Sequence, residues 1–524
     1  MRQLFLFFSL ALLLIGCSGK DEPERQSAAG ADALRILAGS EIKDLEPLKP
    51  AMEKAAGTAI EFIYTGSLDA VERLEAGEAY DGVWLSHGKY LQQTPSIKQK
   101  IRASERIMTS PVVMGLKASK VAALGWDKTD PTWADIVRAA GSGKIAYGMT
   151  NPASSNSGFT ALVGVAAALA DKQDALTVDD INTVELRKLF TGQKLTSGSS
   201  GWLAEAFVKE QDRLDGMINY ESVILTLVAE GKLKEKLVPI YPRDGIVTAD
   251  YPLMLLNESK RANYDKLVSY LRLPATQQDI TQRTLRRPVL PEVEPAAAIP
   301  RKTLSELPFP ASREVLDKLI EAYQGELRRP ASTYFVIDTS GSMQGDGITQ
   351  LRASLLALTG ADTSLSGRFA RFQPRERVYF LPFSSTPGKP VRFEIPTNQN
   401  ETAAILQAIR NFAEGLPADG GTAIFSSVKV ALETAAADRR TDPERAYSIV
   451  VMTDGYSRDG ISEEEFMTWY QGLPEVSRNL RVFGLLFGDA DKSQLEHLAQ
   501  ATGGRVFDAR KSLAGAFKEI RGYQ

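Results

Sequence analysis

From Ser332 onward the chain alternates short, unbroken apolar runs with stretches of helical period, and that alternation leaves few architectures open. Tyr334-Phe335-Val336-Ile337 is such a run and ends at an acid, Asp338. Ile348, Leu351, Leu355 and Leu358 then fall on one helical face. Val378 to Phe383, Ser448 to Met452 and Val482 to Phe487 are expected strands, with a short one at Arg505-Val506-Phe507. Between and after them, Ile405, Ile409 and Phe412 mark a helix, as do Leu495 with Leu498, and Leu513 with Phe517 and Ile520. Strands that are apolar throughout must be covered on both faces. The expectation is a mostly parallel sheet with helices on either side.

In such sheets ligands bind beyond the carboxyl ends of the strands, and the polar residues of this block gather there. The first strand runs into Asp338-Thr339-Ser340-Gly341-Ser342-Met343, a loop before a helix carries Gly420-Gly421-Thr422, and the central strand runs into Thr453-Asp454-Gly455. Two carboxylates and three hydroxyls form an all-oxygen set suited to a hard divalent cation. Taken singly, each loop is an ordinary cap or turn. Together they resemble the metal-ion-dependent adhesion site of von Willebrand factor A and integrin-type domains, over roughly Ser332 to Arg521. The resemblance implies a doubly wound, Rossmann-like α/β domain holding Mg²⁺, with Ca²⁺ or Mn²⁺ as alternatives. Ser340, Ser342 and Thr422 would contact the metal directly or through water, and Asp338 and Asp454 largely through bound waters. One coordination position would stay open for an acidic side chain of a protein partner.

The chain has 524 residues, too many for one core, and a first α/β block precedes this one. Leu34 to Ala38, Ile60 to Tyr64 and Asp81 to Ser86 are expected strands; Met108 to Gly115 is placed as a crossing between lobes, with a return through Asp250-Tyr251-Pro252. Asn151 to Gly158 leads into a long apolar helix. This order resembles type 2 periplasmic solute-binding proteins, closest in character to those for sulfate, molybdate, phosphate or iron, over about Leu34 to Leu290. The resemblance implies a two-lobed module with a ligand between the lobes near Ser40, Ser67, Ser86, Ser110, Ser155 and Tyr220. Ser40, Ser67 and Ser155 precede expected helices, where free N–H groups and a hydroxyl suit an oxyanion. The plainer reading of each serine is an N-cap. Arg243 is the one arginine in these loops, which argues against a large multivalent anion. Gly141-Ser142-Gly143-Lys144 lacks the spacing of a phosphate-binding loop. His87 and the tryptophans Trp84, Trp126, Trp133 and Trp202 are read as packing residues.

Between the blocks lies Pro291 to Pro330, a proline-rich connection expected to hold one helix, Glu314 to Leu327, packed on a neighbour. Upstream of both, Arg2 precedes an apolar stretch from Leu4 to Ile15, too short to span a bilayer but fitting a secretory signal. It ends Leu14-Ile15-Gly16-Cys17, which resembles a bacterial lipobox, and Cys17 is the only cysteine. The resemblance implies cleavage before Cys17, acylation there, and a polar tether to residue 32. Ser18 in the next position fits outer-membrane sorting facing the periplasm in a Gram-negative cell. The expected plan is signal 1–16, lipidated tether 17–32, solute-binding-like block 33–290, linker 291–331 and A domain 332–524.

A net charge of −3 gives no footprint for nucleic acid, and one cysteine with two histidines argues against zinc, thiol and Ser-His-Asp chemistry. The leading expectation is therefore a non-enzymatic, membrane-anchored binding protein. It would dock a protein partner through the metal and hold or sense a small solute. A solute-binding component of an ABC transporter, with the A domain as accessory, is the alternative. A metal-dependent hydrolase is a third reading, for which no nucleophile–base pair is visible.

Overall fold

The computed structural model describes residues 33–172, 174–488, 492–510 and 513–523. The expected signal segment, Cys17 and the tether lie outside the described residues. In chain order the strands are β1 (Leu34–Ala38), β2 (Ile60–Tyr64), β3 (Gly82–Trp84), β4 (Ala103–Arg106), β5 (Met108–Lys117), β6 (Tyr147–Thr150), β7 (Gln193–Ser197), β8 (Gly216–Tyr220) and β9 (Leu237–Ile240). They continue with β10 (Thr248–Ala249), β11 (Pro252–Leu255), β12 (Arg287–Pro288), β13 (Ala331–Asp338), β14 (Arg377–Phe383), β15 (Val391–Glu394), β16 (Ala446–Thr453), β17 (Arg481–Leu486) and β18 (Val506–Asp508).

The first block forms two sheets, hence two lobes. One has the order β2-β1-β3-β11-β4; in the other β10-β5-β8-β6-β7 form the path, with β9 and β12 also paired to β5. The chain crosses from one lobe to the other between Arg106 and Met108, just before the expected crossing over Met108 to Gly115, which is instead part of strand β5 of the second lobe, and it comes back through Asp250-Tyr251, where the sequence places the return. Tyr251 turns this corner with φ +40°, a conformation costly for an aromatic residue. Its N–H donates to the Ser86 carbonyl (3.0 Å) and its carbonyl accepts from Trp84 Nε1 (3.1 Å), which hold the strained turn. The helix Asn156–Ala170 is apolar on every face and is buried accordingly along its first twelve residues.

The second block is a six-stranded sheet in the order β15-β14-β13-β16-β17-β18. All its neighbours are parallel except β14 with β15. Numbered within the block this is the 3-2-1-4-5-6 order of doubly wound folds, so the order reverses between β13 and β16. Every residue of β13 is buried, as the unbroken apolar run requires. The edge strand β15 is mostly exposed and carries an alternating Val-Arg-Phe-Glu pattern.

The connection is not a free tether. Its helix Arg313–Ala322 and the following turn bury Val315, Leu316, Leu319, Ile320, Tyr323 and Leu327 in the same apolar cluster as the first block. Tyr90 Oη donates to Asp317 (2.5 Å), Tyr323 stacks edge-on against Phe190 at 5.1 Å, and His87 stacks on Phe309 at 4.6 Å. His87 is thus packed, and burial lowers its pKa.

Candidate metal centre and solute cleft

β13 and β16 lie side by side, so the loops that follow them open at the switch point of the sheet. Asp338, the last residue of β13, is fully buried. Its Oδ1 accepts from the Ser340 N–H (2.8 Å) and its Oδ2 from Thr453 Oγ1 (2.5 Å), so the loop winds back on its own carboxylate. Ser340 Oγ lies 3.0 Å from Ser342 Oγ, and Ser342 Oγ donates to Asp454 Oδ1 (2.8 Å). A Cβ built on Gly455 would be 3.7 Å from Ser342 Oγ and 3.8 Å from Thr422 Oγ1, which brings the third loop to the same spot. All five sequence-expected residues therefore converge. They grade outward from Asp338 and Ser340, at 0% and 1% exposure, to the exposed Ser342.

Burial raises the Asp338 pKa above the usual carboxylate range; hydrogen bonds from Ser340 and Thr453 pull it back, and the nearby charge of Asp454 pushes it up again. Among the described residues no three His, Cys, Asp or Glu side chains gather as a metal set.

Sequence reasoning missed the supporting residues. Besides Thr453, Asp459 accepts from the Thr422 N–H (2.8 Å) and Ser385 Oγ from the Gly421 N–H (2.8 Å). The Gly341 N–H donates to the Gly420 carbonyl (2.9 Å), a close backbone approach that the φ of +82° at Gly420 permits. These come from loops with no spacing pattern to the five.

The six residues placed in the solute cleft fare differently. Ser86 Oγ and Tyr220 Oη are buried and 2.8 Å apart; Ser110 Oγ donates to Ser222 Oγ (3.2 Å). Ser67 Oγ donates to Asn156 Oδ1 across the lobes. Ser40 is exposed and Ser155 half-buried, and both line a 580 Å³ space. None of Ser40, Ser67 and Ser155 makes a side-chain cap bond. The hydroxyls are mostly paired with one another rather than open together, because the lobes lie closed on each other. Arginine supply is also corrected: Arg243 is on the surface, whereas Arg286 is buried beside the cleft. Arg286 donates to Asp44 Oδ2 (2.7 Å) and to the Glu41 carbonyl (2.7 Å), and its guanidinium sits 4.9 Å over the Tyr251 ring. Burial, then the charge of Glu41, pushes the Tyr220 phenol well above its usual range.

The 580 Å³ space is bounded by both lobes and by the A domain's last helix, Leu513–Arg521, through Lys518, Glu519 and Arg521. Asn151 Nδ2 donates to the Arg521 carbonyl (3.4 Å), Tyr523 packs edge-on against Trp202 at 5.0 Å, and Lys518 lies 3.5 Å from Glu72.

Comparison with known proteins matches residues 34–283 to the bacterial extracellular solute-binding protein family and residues 333–521 to the von Willebrand factor type A domain. The A-domain region is 30% identical over 188 residues to human inter-alpha-trypsin inhibitor heavy chain H4, covering 35% of this chain and 18% of that protein. Solved structures that match include a ferric binding protein from Campylobacter jejuni, at 12% identity and TM-score 0.44, over 55% of this chain and 98% of that one. The periplasmic binding protein AfuA from Actinobacillus pleuropneumoniae, with exogenous fructose-6-phosphate bound, matches at 15% identity and TM-score 0.44, over 56% of this chain and 98% of that one. The chain carries a bacterial solute-binding domain followed by an A domain.

Proposed function

We propose that this pairing of a solute-binding domain with an A domain makes a non-enzymatic, membrane-anchored, extracytoplasmic binding protein. A divalent cation, best Mg²⁺, would be held by Asp338, Ser340, Ser342, Thr422 and Asp454. The cation supplies a Lewis-acidic point that takes a carboxylate from a protein partner. The observation that carries this reading is the convergence of the five side chains at the sheet's switch point. Asp338 and Thr453 fix the inner side of the site, and the exposed Ser342 leaves its outer side to solvent. Tyr456, two residues past Asp454 and 45% exposed, offers an apolar contact next to the charged one.

The solute would lie between the lobes, where Arg286 supplies one buried cation, so an oxyanion is the first probe. The A domain's last helix walls the cleft, which supports a coupling of solute occupancy to partner docking. Anchoring rests on the Cys17 sequence pattern and predicts that Cys17→Ser releases the protein from membranes.

The test is Mn²⁺ binding to the full chain, followed by water-proton relaxation. One Mn²⁺ site is expected, weakened at least tenfold by Asp338→Ala, with relaxivity falling when acetate displaces a bound water. Unchanged affinity in Asp338→Ala removes the metal site. A relaxivity insensitive to acetate removes carboxylate docking while leaving the metal.

A further inference from the structure

Two hinge crossings join the lobes of the solute-binding domain, and the connection to the A domain ties them a second time. From Ser305 onward its anchors alternate between the lobes. In the second lobe, the Ile246 N–H donates to the Ser305 carbonyl (2.9 Å) and the Ile246 carbonyl accepts from the Leu307 N–H (2.8 Å). The Phe309 ring then lies 4.6 Å from His87 of the first lobe and 6.3 Å from Phe159 of the second. Gln93 of the first lobe donates to the Pro310 carbonyl. The helix Arg313–Ala322 stays on the first lobe, where Arg313 meets Glu75 (3.3 Å) and Thr94 Oγ1 (3.4 Å) and Asp317 accepts from Tyr90. Tyr323 returns to the second lobe, against Phe190.

Little slack separates these anchors. The three residues from Leu307 to Pro310 span at most about 10–11 Å when fully extended. Asp317 and Tyr323 are joined by about 9 Å of rigid helix. Two-lobed binding domains open by rotation about their hinges, and that rotation separates first-lobe anchors from second-lobe ones. The A domain adds a third tie. Phe369 is buried in the first block's apolar cluster and Lys518 lies 3.5 Å from Glu72 in the first lobe, while Arg481 pairs with Glu210 and Tyr523 packs on Trp202 in the second.

We propose that the connection is a strap that holds the two lobes shut, so that solute reaches the cleft only when the strap comes off one lobe. This rests on the reading that the solute lies between the lobes. The strap runs on through Arg328 into β13, which ends at Asp338, so the A domain is the body whose displacement would pull it.

The experiment is hydrogen–deuterium exchange of the full chain without solute, read by mass spectrometry. Residues 67–69 and 156–158 form the first turns of two helices that meet across the cleft through the bond from Ser67 to Asn156. First-turn N–H groups have no intrahelical acceptor, so their protection reports cover by the opposite lobe rather than helix unfolding. The double change Arg313→Gln, Asp317→Ala alters side chains about one-quarter exposed and is expected to speed exchange there about tenfold or more, with the amides of β13 unchanged. Asp317→Asn, which keeps an acceptor for Tyr90, is expected to exchange like the parent. No acceleration in the double variant, or an equal acceleration in β13, overturns the proposal. Because no solute is present, the outcome is separate from whether an oxyanion binds between the lobes, which slowing of the same amides by sulfate in the double variant reads.

Discussion

Replacing Glu376 by Gln should cost the A domain more than any other single polar change in it. Glu376 is buried and accepts from Arg521 Nη2 with both oxygens (2.7 and 2.8 Å) and from Arg328. Arg328 ends the connection between the domains, and Arg521 ends the last helix, so one carboxylate ties three segments. Both guanidiniums are at most 6% exposed. Removing one partner from such a buried ion pair costs about 3–5 kcal/mol, mostly the desolvation of the charges left behind. The domain spans residues 333–521. At about 2.1 cal/mol/K per residue its unfolding entropy is on the order of 0.4 kcal/mol/K, so its melting point should fall by roughly 8–12 °C.

Scanning calorimetry reads that shift. Fluorescence of Trp202, against which Tyr523 packs, reads release of the helix end. The loss should persist at neutral pH. Burial opposes ionisation of Glu376, yet Arg521 and Arg328 outweigh it and hold its pKa below the usual range. A depressed acid stabilises above its unfolded pKa, and that contribution fades as pH falls through the folded value. Parent and variant should therefore converge only in acid. The triple change Glu376→Leu, Arg328→Met, Arg521→Met should be near neutral, since no charge is stranded. A drop below about 2 °C in Glu376→Gln would refute the argument.

Asp338→Asn should abolish Mn²⁺ binding yet raise the metal-free melting point. The folded state holds the Asp338 proton more tightly than the unfolded chain does, so its ionisation costs stability once pH passes the raised pKa. Calorimetry with EDTA checks the sign. Gly421→Ala touches no ligand, but its Cβ would fall 1.8 Å from Asp459 Oδ2, the acceptor for the Thr422 N–H. Metal affinity should drop about 10–100-fold, as for other supporting contacts, measured by Mn²⁺ titration. Gly158→Ala would place a Cβ 2.3 Å from the Thr150 carbonyl and should destabilise the first domain by several kcal/mol in urea unfolding.

The candidate metal centre is legible in the sequence because three of its proposed ligands are local, Asp338, Ser340 and Ser342, while Asp454 follows a buried apolar strand and Thr422 precedes a helix. Thr453 is in view, next to Asp454, but its bond to Asp338 is not; Asp459 and Ser385 are not legible, since each reaches the site only through the packing of separate loops. The cleft shows the limit from the other side. Serines before helices look alike whether they face a ligand or, as Ser67 does, donate to a side chain of the other lobe. Arg286 follows Leu285, whose φ of +52° turns the chain inward, and nothing in the neighbouring residues announces that turn. The edge strand β15 does carry a two-residue alternation, Val391 to Glu394, but four residues with an exposed face give a weak signal.

The buried connection sets the unit in which this chain can be rearranged. A recombination joint at residue 290, where the composition changes, would strip Leu316, Leu319, Ile320 and Tyr323 from the first domain's core. At about 1.5–3 kcal/mol for each large apolar side chain, that is comparable to the whole stability of many domains. A solute-binding domain exchanged between proteins of this plan must travel with everything to Leu327, and the A domain it meets must bring an Arg521 end and a Glu376 to receive Arg328. Shuffling of the two domains is thereby restricted to partners that already share the joint.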